Sequence, residues 1–180
     1  MDEREVMGCT PEQFRMAMRR FAASVCVIAT GKVPNRVGLT ATAVCSLSVS
    51  PPQILVCLNA ETGTCKAVRE ERAFSVNILT SEQLGLARRF AGIEGGAIGE
   101  ERFNAGTWRP GASGAPVLDG AMLTFECRLM TSHAVATHVI LIGEVVDIPE
   151  NDHDDALLYR SGSFGTWAPL PEAAAAGACA

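Results

Sequence analysis

The stretch GLTATAVCSLSVSPP, residues 38–52, holds two threonines and three serines and no charged residue. Its hydroxyl-bearing residues fall on alternate positions, and the positions between them are apolar. Because successive side chains of a β-strand point to opposite faces, this pattern predicts a strand over residues 39–48 with one apolar face. Pro51 and Pro52 supply no backbone donor and predict its end. The apolar positions are Leu39, Ala41, Ala43, Cys45, Leu47 and Val49.

The polar face of this strand has two interpretations. One is an ordinary solvated face, since an antiparallel sheet often has one wet side. The other is a ligand surface, because a solvated face usually carries Lys, Glu or Arg and this one carries only small hydroxyls. Hydroxyls and backbone N–H groups together donate and accept hydrogen bonds, and small side chains let a flat polar ring approach closely. The residues alone leave both interpretations open.

Three segments predict helices. A capping-box pattern, TPEQ at residues 10–13, starts a helix predicted to run to residue 22 with Phe14, Met18 and Phe21 on one face. Shorter helices are predicted over residues 64–71 and over residues 81–91, the latter opening with a Ser81 cap. Residues 92–120 are rich in Gly and Pro and are predicted to be largely loop.

The remaining segments predict strands, and together they indicate a mainly β protein with flanking helices. Many short strands at close spacing favour a closed antiparallel barrel over a doubly wound parallel sheet. We expect a single domain over residues 1–170 and a loose tail over residues 171–180. The predicted strands, besides residues 39–48, are residues 24–30, 53–58, 73–79, 123–130 and 134–148.

Composition excludes several classes of protein. The chain has 180 residues, is 48% hydrophobic and has a net charge of −5, which disfavours both a disordered chain and a nucleic-acid-binding surface. Neither a membrane-spanning apolar run nor a secretory signal is evident, so we expect a cytoplasmic protein without a membrane partner. The seven cysteines include no C-x-x-C pair and predict buried thiols in a reducing compartment, with no metal site.

Residues 59–66, NAETGTCK, lead from a predicted strand into a predicted helix. Free backbone N–H groups and the helix dipole favour an anion at such a start, and Thr64 and Lys66 would add a hydroxyl and a positive charge. The alternative is a capping threonine beside a surface lysine. Glu61 does not help an anion to bind, and we expect it to point away.

His138 precedes the apolar run VILIG and is the titratable group of most interest. A histidine in this setting is either a structural residue bonded to backbone or a group that contacts a ligand. His133 is a weaker candidate, and His153, within NDHDD, is expected to be a solvated loop residue.

Together, ordered motifs across residues 14–164 resemble the short-chain flavin reductases, the reductase components of two-component flavin-dependent monooxygenases. Residues 35–59 resemble that family's flavin segment G-x-T-A-(S/T)-(S/A)-x-x-S-x-S-x-x-P-P. The further matches, in chain order, are FSVNIL at residues 74–79, RFAG at residues 89–92, ERF at residues 101–103 and HVILIGEV at residues 138–145.

The resemblance implies a six-stranded antiparallel split β-barrel of Greek-key, FMN-binding type. It implies FMN or FAD bound at a homodimer interface, reduced by NADH or NADPH, with reduced flavin passed to a partner monooxygenase. The implied flavin-binding residues are Arg36, Thr40, Ala41, Thr42, Ala43, Ser46, Ser48, Asn59, Thr64, Lys66 and Phe90. The implied nicotinamide-side residues are His138, which would position the nicotinamide, with Tyr159 and Phe164.

At the histidine this chain departs from the family pattern. The family commonly has Gly-Asp-His, whereas this sequence has Ala136-Thr137-His138. Thr137 can hydrogen-bond but does not supply the aspartate charge, so nucleotide affinity or the preference for NADH over NADPH is open to change.

Other functions remain compatible with these residues. A reductase on the same fold with another final acceptor, such as a cobalt corrinoid, would share the flavin residues. A non-catalytic FMN-binding protein would have a closed nicotinamide pocket. A barrel used only for protein interaction would use the uncharged hydroxyl face as its interface.

Overall fold

The computed structural model describes residues 8–149 and 153–170, so the predicted tail at residues 171–180 lies outside the described residues. The protein is mainly β-strand with short helices, as predicted. The α-helices are α1 (Pro11–Met18), α2 (Gly63–Glu71) and α3 (Leu84–Phe90), and two 3-10 helices span Ser81–Gln83 and Gly99–Asn104. The strands are β1 (Ala23–Ser24), β2 (Cys26–Thr30), β3 (Val37–Ala41), β4 (Val44–Val49), β5 (Pro52–Asn59), β6 (Ala73–Ile78), β7 (Trp108–Pro110), β8 (Pro116–Leu118), β9 (Leu123–Val135), β10 (His138–Asp147), β11 (Leu158–Arg160) and β12 (Ser163–Gly165).

Seven strands form the main sheet, in the order β3-β2-β6-β9-β10-β5-β4, and each neighbouring pair is antiparallel. The two smaller sheets are β1-β11-β12 and β7-β8. The antiparallel prediction is therefore confirmed, whereas the hydrogen-bonded sheet has seven strands and not the six that the resemblance implies.

The predicted single strand over residues 39–48 is in fact two strands. β3 pairs with β2 and β4 pairs with β5, which puts these successive strands at opposite edges of the sheet. Only Thr42 and Ala43 join them. A connection this short spans about 10 Å, so the two edges of the sheet come close together here. The sequence did not indicate the break because small residues suit a strand and a bend equally well.

Two apolar clusters form the core. The first packs inside the curved sheet and includes Ile28, Val56, Phe74 and Leu141. The second lies on the other side of β2, where α3, β8 and β11 cover Val27 and neighbouring residues. Since β2 contributes to both clusters, all five of its residues are buried.

A buried polar seam fixes the β7–β8 hairpin to the sheet, in a region predicted to be largely loop. Ser75 and Asn77 of β6 lie opposite Glu126 and Thr124 of β9. The Asn77 side-chain oxygen accepts hydrogen bonds from the Leu118 backbone, at 2.9 Å, and from the Thr124 hydroxyl, at 3.2 Å. These contacts between distant segments order the hairpin, and no local sequence pattern indicates them.

Helix α1 begins as predicted but ends earlier. Thr10 and Gln13 form the capping box, with hydrogen bonds of 2.9 and 3.1 Å. The helix ends at Met18 instead of residue 22, and none of its residues is buried. The predicted apolar face therefore does not pack on the core of this chain: Phe14 is 62% exposed and Phe21 is 70% exposed. Within the described residues, no helix is long and apolar enough to cross a membrane.

Candidate functional site

A groove of about 630 Å³ opens between the chain that follows α1, strand β4 and the adjoining ends of β2, β5, β6, β9 and β10. Its lining is apolar or carries small uncharged polar groups. Three predicted flavin residues line it: Thr42, Ser46 and Ser48. The other residues of the lining are Phe21, Ala22, Ala23, Ser24, Cys26, Val44, Cys45, Val49, Pro52, Gln53, Ile54, Ile78, Phe125, Val145 and Ile148.

The hydroxyl row does not lie on one continuous face, so the predicted alternation over residues 39–49 is wrong. Leu39 and Ala41 pack on the inner cluster, and the next residue to do so is Val44, three positions after Ala41. A second register shift falls between Ser46 and Ser48. Each irregularity exchanges the inward and outward faces, as any one-residue slip in a strand does.

Cys45 and Leu47, which lie between the two irregularities, consequently face outward, whereas Val49 follows the second irregularity and lines the edge of the groove. Leu47 is 46% exposed and Val49 is 87% exposed, although both belong to the parity that the sequence pattern predicted to be buried. By contrast, Ser46 lies opposite the buried Ile54 and faces the groove.

The residues around the β3–β4 junction have separate environments. Thr40 donates a hydrogen bond from its hydroxyl to the Ala87 carbonyl of α3 at 2.7 Å, so that hydroxyl stabilises the fold. Ala41 packs on the inner cluster. The Ala43 carbonyl accepts a hydrogen bond from the Cys57 backbone at 3.0 Å, which ties the junction to β5. Of the predicted flavin-binding residues on β3, β4 and their junction, Thr42, Ser46 and Ser48 are brought together at the groove.

The groove has the properties that an uncharged aromatic ring system requires. Its volume is within the range of small-molecule sites, about 300–1,000 Å³. Its described lining contains no charged side chain, and hydroxyls supply hydrogen-bonding groups among the apolar residues. The residues therefore fit the ring portion of a flavin, while an anionic group would have to lie outside the groove.

Asn59 and His138 meet at the other end of β5. They are register partners, so both side chains project from one face of the sheet. The Ala60 N–H donates to the Thr137 carbonyl at 3.1 Å, and Thr137 Oγ1 lies 2.9 Å from His138 Nδ1. Asn59 lies six positions after Gln53, which lines the groove, so about 20 Å of strand separates them. Thr42 lines the groove and also lies near the Asn59 end of β5, because the next residue, Ala43, is hydrogen-bonded to Cys57.

The start of α2 is helical as predicted, but Thr62 is its cap. Thr62 Oγ1 accepts the Cys65 N–H at 3.3 Å. Thr64 is 4% exposed and lies beneath the helix. Lys66 Nζ lies 3.3 Å from Glu61 Oε2, so Glu61 does not point away from Lys66 as expected. This exposed pair partly offsets the positive charge that the predicted anion site relies on.

A second cleft, of about 450 Å³, lies along the same helix and was not anticipated from the sequence. Lys66, Arg69 and Arg72 line it, together with Glu70 and Ser132. Lys66 and Arg69 are three residues apart and so lie on one face of the helix. This spacing in the sequence could have predicted a basic surface here. The cleft extends the positive potential beyond Lys66 toward the C-terminal end of α2.

Arg36 and Phe90 belong to an ordered aromatic cluster behind β3. Arg36 Nε donates to Glu100 Oε1 at 2.8 Å, and its guanidinium carbon lies 4.6 Å from the centre of the Phe103 ring. Phe90 is 1% exposed and contacts Phe103 and Trp108, with ring centres 5.1 and 5.4 Å away. The Arg36 hydrogen bonds lower the pKa of Glu100, against the opposing effect of burial.

Tyr159 and Phe164 form a partly buried aromatic pair, with ring centres 5.2 Å apart. Tyr159 lies opposite Ala23, which lines the groove. The turn between β11 and β12 is held against the end of α1, because the Ser161 N–H donates to the Arg19 carbonyl at 2.6 Å. The backbone of β11 thus adjoins the groove at Ala23, whereas both rings pack against the second cluster and neither lines the groove. His138 lies at the far end of β10.

The prediction of buried thiols holds for Cys26, Cys65 and Cys127, whereas Cys57 is partly buried and Cys9 and Cys45 are exposed. Burial raises the pKa of Cys26 to about 12 and, with the nearby Glu126 charge, that of Cys127 to about 12. The pKa of Cys57 is also raised, by burial and then by Cys45. Thiols with raised pKa values are poor nucleophiles at neutral pH. In the described part of the chain, no group of His, Cys, Asp or Glu has the arrangement of a metal site.

Phe21 is a groove residue that was assigned only to a helix face. The turn after α1 carries it over the groove beside Ala22 and Ala23. The end of the helix at Met18 changes its direction, so helical spacing did not predict its position.

Comparison with known proteins assigns the family. Residues 18–168 match the family model described as "Flavin reductase like domain". The FMN reductase (NADH) RutF of Ancylobacter novellus is 40% identical over 161 residues, covering 89% of this chain and 87% of that protein.

Solved structures with a similar fold also include flavin reductases. BorF, the flavin reductase component of a bacterial two-component tryptophan halogenase, is 29% identical with a TM-score of 0.80, covering 89% of this chain and 100% of that chain. A homologue of nitrilotriacetate monooxygenase component B from Mycobacterium thermoresistibile is 26% identical with a TM-score of 0.80, covering 94% of each chain. This chain therefore belongs to the flavin reductase like domain family.

Proposed function

We propose that this protein is an NAD(P)H:flavin oxidoreductase that moves a hydride from a nicotinamide nucleotide to FMN or FAD. The observation that carries the proposal is the uncharged groove lined by Thr42, Ser46 and Ser48 in a chain of this family. The similarity to proteins named FMN reductase (NADH) favours FMN and NADH over FAD and NADPH.

In this reaction the protein's task is positioning. The flavin, when bound, supplies the hydride-accepting ring, and the surrounding residues bind it and hold the nucleotide against it. Small side chains at Thr42, Ser46 and Ser48 leave room for two stacked rings, and the apolar lining excludes water from the reacting faces. Bulkier side chains here would block the second ring.

The remaining groups of the flavin have candidate residues beyond the groove. From Thr42, the backbone of Ala43 leads to β5 through its hydrogen bond with Cys57, two residues before Asn59, which precedes the start of α2. Lys66 supplies positive charge for a phosphate, with Arg69 and Arg72 extending it along the helix. Thr64, which is buried, acts through its backbone at the helix start. Arg36 and Phe90 stabilise β3. Arg36 is bound to Glu100, and the Phe90 ring packs against Gly38 of β3.

For the nucleotide, His138 is the exposed candidate and shares its face with Asn59. Tyr159 and Phe164 pack on the second cluster, and the backbone of Tyr159 pairs with Ala23 of the groove lining, so a nucleotide that extends past Ala23 would meet their hairpin, β11–β12. These assignments predict that changes at His138 affect nucleotide binding more than flavin binding.

We also infer that the chain forms one domain, that its main sheet closes into a barrel, and that two copies of the chain form a homodimer. Counting β3 and β4 as one strand bent at Thr42 and Ala43 gives the six strands of a split barrel, closed where the sheet edges approach. A second copy is the natural cover for the large apolar side chains exposed around the groove, since contiguous apolar surface marks interaction sites. Those side chains include Phe21, Leu47, Val49 and Ile148.

The last step is transfer of reduced flavin to a partner monooxygenase in the cytoplasm. One similar structure is named as the flavin reductase component of a two-component halogenase and another as a homologue of a monooxygenase component, which supports this role. The open groove is consistent with a flavin that leaves after reduction.

One assay tests the enzymatic proposal. Purified protein is mixed with NADH or NADPH, with FMN, FAD or no flavin, and nucleotide oxidation is followed by absorbance. We expect oxidation that depends on flavin and is fastest with NADH and FMN. Absence of flavin-dependent oxidation with either nucleotide would rule out a reductase, and a yellow but inactive protein would indicate a flavin-binding module.

A further inference from the structure

The turn between β9 and β10 is fixed by its backbone. β9 ends at Val135 and β10 begins at His138, so the turn consists of Ala136 and Thr137. Ala136 has a φ of 51°, in the left-handed region that residues other than glycine adopt rarely. The Thr137 carbonyl accepts the Ala60 N–H at 3.1 Å, which joins the turn to the loop between β5 and α2. The side chain of Thr137 therefore starts from a constrained position.

From there, Thr137 contacts the imidazole of His138. Its Oγ1 lies 2.9 Å from Nδ1, and among the described residues it is the one side chain that hydrogen-bonds this ring. His138 is exposed, and its register partner Asn59 projects from the same face. The contact therefore occupies Nδ1 and leaves Nε2 for a ligand on the face that carries Asn59.

The chemistry of a hydroxyl differs from that of a carboxylate at this position. A neutral imidazole has one donor nitrogen and one acceptor nitrogen, and the partner of one nitrogen determines the role of the other. An ionised aspartate only accepts, so it keeps a proton on Nδ1. A threonine hydroxyl also donates, and when it donates to Nδ1 the proton of the neutral ring lies on Nε2.

We propose that Thr137 is a positioning residue that donates to His138 Nδ1 and so makes Nε2–H a neutral donor toward a carbonyl oxygen of the bound nucleotide. The nicotinamide carboxamide supplies an oxygen of this kind. The proposal rests on the function proposed above and concerns the nucleotide side of the site.

The first test reads the tautomer directly in the protein without nucleotide. Nitrogen-15 NMR of the imidazole distinguishes a protonated from an unprotonated ring nitrogen, with His138→Gln identifying the signals. We expect Nε2 to carry the proton in the wild type and Nδ1 to carry it in Thr137→Asp. A wild-type spectrum with the proton on Nδ1 would overturn the proposal, whatever the enzymatic activity.

The second test separates positioning from simple stability. Thr137→Val removes the hydroxyl at nearly constant volume, and we expect the NADH dissociation constant and KM to rise about 3- to 10-fold, the effect of one hydrogen bond, with flavin affinity unchanged. Thr137→Ser should restore binding. Thr131→Val is the matched control, because Thr131 Oγ1 lies 3.4 Å from Nε2 of His133 on the same hairpin.

A double-mutant cycle completes the design. If Thr137 acts through the imidazole, Thr137→Val has no further effect on NADH affinity in a His138→Ala background. An equal loss in both backgrounds, or wild-type affinity in Thr137→Val, would overturn the proposal while the wild-type enzyme still reduces flavin. An inactive wild-type protein would instead contradict the proposed function, and the NMR result would still decide the role of Thr137.

Discussion

His138 and Asn59 face each other across β10 and β5, and their side chains share one side of the sheet. If this face holds the nucleotide, His138→Ala should raise the KM for NADH about 3- to 10-fold, because one hydrogen-bonding group is lost. The dissociation constant for FMN should stay within about twofold. Steady-state kinetics and a flavin fluorescence titration measure the two quantities.

The control for this change is His133→Ala. His133 lies on the same hairpin and is exposed, but it is opposite Ile140 instead of Asn59. It should leave both constants unchanged. A His138→Ala enzyme with weakened FMN binding and a normal KM for NADH would move His138 to the flavin side of the site.

Substitution of Gly38 on β3 tests the packing of Phe90 against this strand. A Cβ at this position would lie 2.9 Å from Phe90 Cε1 and 3.0 Å from the Ile28 carbonyl oxygen, and the backbone oxygen has little freedom to move. We expect Gly38→Ala to lower the free energy of unfolding by about 1–3 kcal/mol through overpacking. Urea denaturation of the purified protein measures this value.

Gly85→Ala is the matched substitution for this experiment. Gly85 lies in α3, and a Cβ there would meet nothing within 4 Å. Alanine favours helix over glycine, so stability should rise by about 0.5–1 kcal/mol. Equal effects of the two substitutions would contradict the close packing of Phe90 against β3.

The sequence predicted the type of most elements because their signals are local. The capping box at Thr10 and Gln13 formed as predicted, since its hydrogen bonds join residues three apart. The β7–β8 hairpin was not predicted, because distant contacts such as that between Asn77 and Leu118 order it. Local patterns do not contain such contacts.

The candidate site was predicted only in part, for a related reason. Alternation placed Thr40, Ser46 and Ser48 on one face. Ser46 and Ser48 line the groove, whereas Thr40 lies before the bend at Thr42 and Ala43 and its hydroxyl bonds Ala87. Thr62, not Thr64, caps α2, because either threonine satisfies the pattern of a helix start. Phe21 was missed because α1 ends before it.

The Arg36–Glu100 pair gives the protein a pH-dependent source of stability. Hydrogen bonds from Arg36 lower the pKa of Glu100 from its ordinary value of 4.5. A carboxylate with a lowered folded pKa stabilises the protein fully above its unfolded pKa, and the contribution is lost as pH falls through the folded pKa. Glu100→Gln should therefore lower Tm at pH 7, and its difference from the wild type should shrink below about pH 4.5.

Thermal unfolding monitored by circular dichroism across this pH range provides the measurement. Glu94→Gln is the control, because Glu94 pairs with Arg88 at 3.0 Å in a more exposed setting. Exposed pairs contribute little, so its Tm should change little at any pH. A Glu100→Gln difference that persists undiminished into acid would contradict the role of the ionised carboxylate.

Thiol labelling tests the environments of the cysteines. Cys9 and Cys45 are exposed, whereas Cys26 and Cys127 are buried with pKa values raised to about 12. Iodoacetamide at neutral pH should modify the first two and leave the second two unmodified until denaturant is added. Peptide mass spectrometry identifies the modified positions. Rapid labelling of Cys127 in the folded protein would contradict its position in the inner cluster.

The central claim is that flavin is reduced at the groove beside the β3–β4 junction, and Thr42→Leu tests it most directly. Thr42 is an exposed residue of the groove lining, so leucine should crowd the ring without unfolding the protein, and kcat/KM for FMN in NADH oxidation should fall at least about tenfold. Thr131→Leu, outside the groove on β9, is the matched control and should retain wild-type kinetics. Wild-type kcat/KM for FMN in a folded Thr42→Leu enzyme would contradict the account and remove this junction from the flavin site.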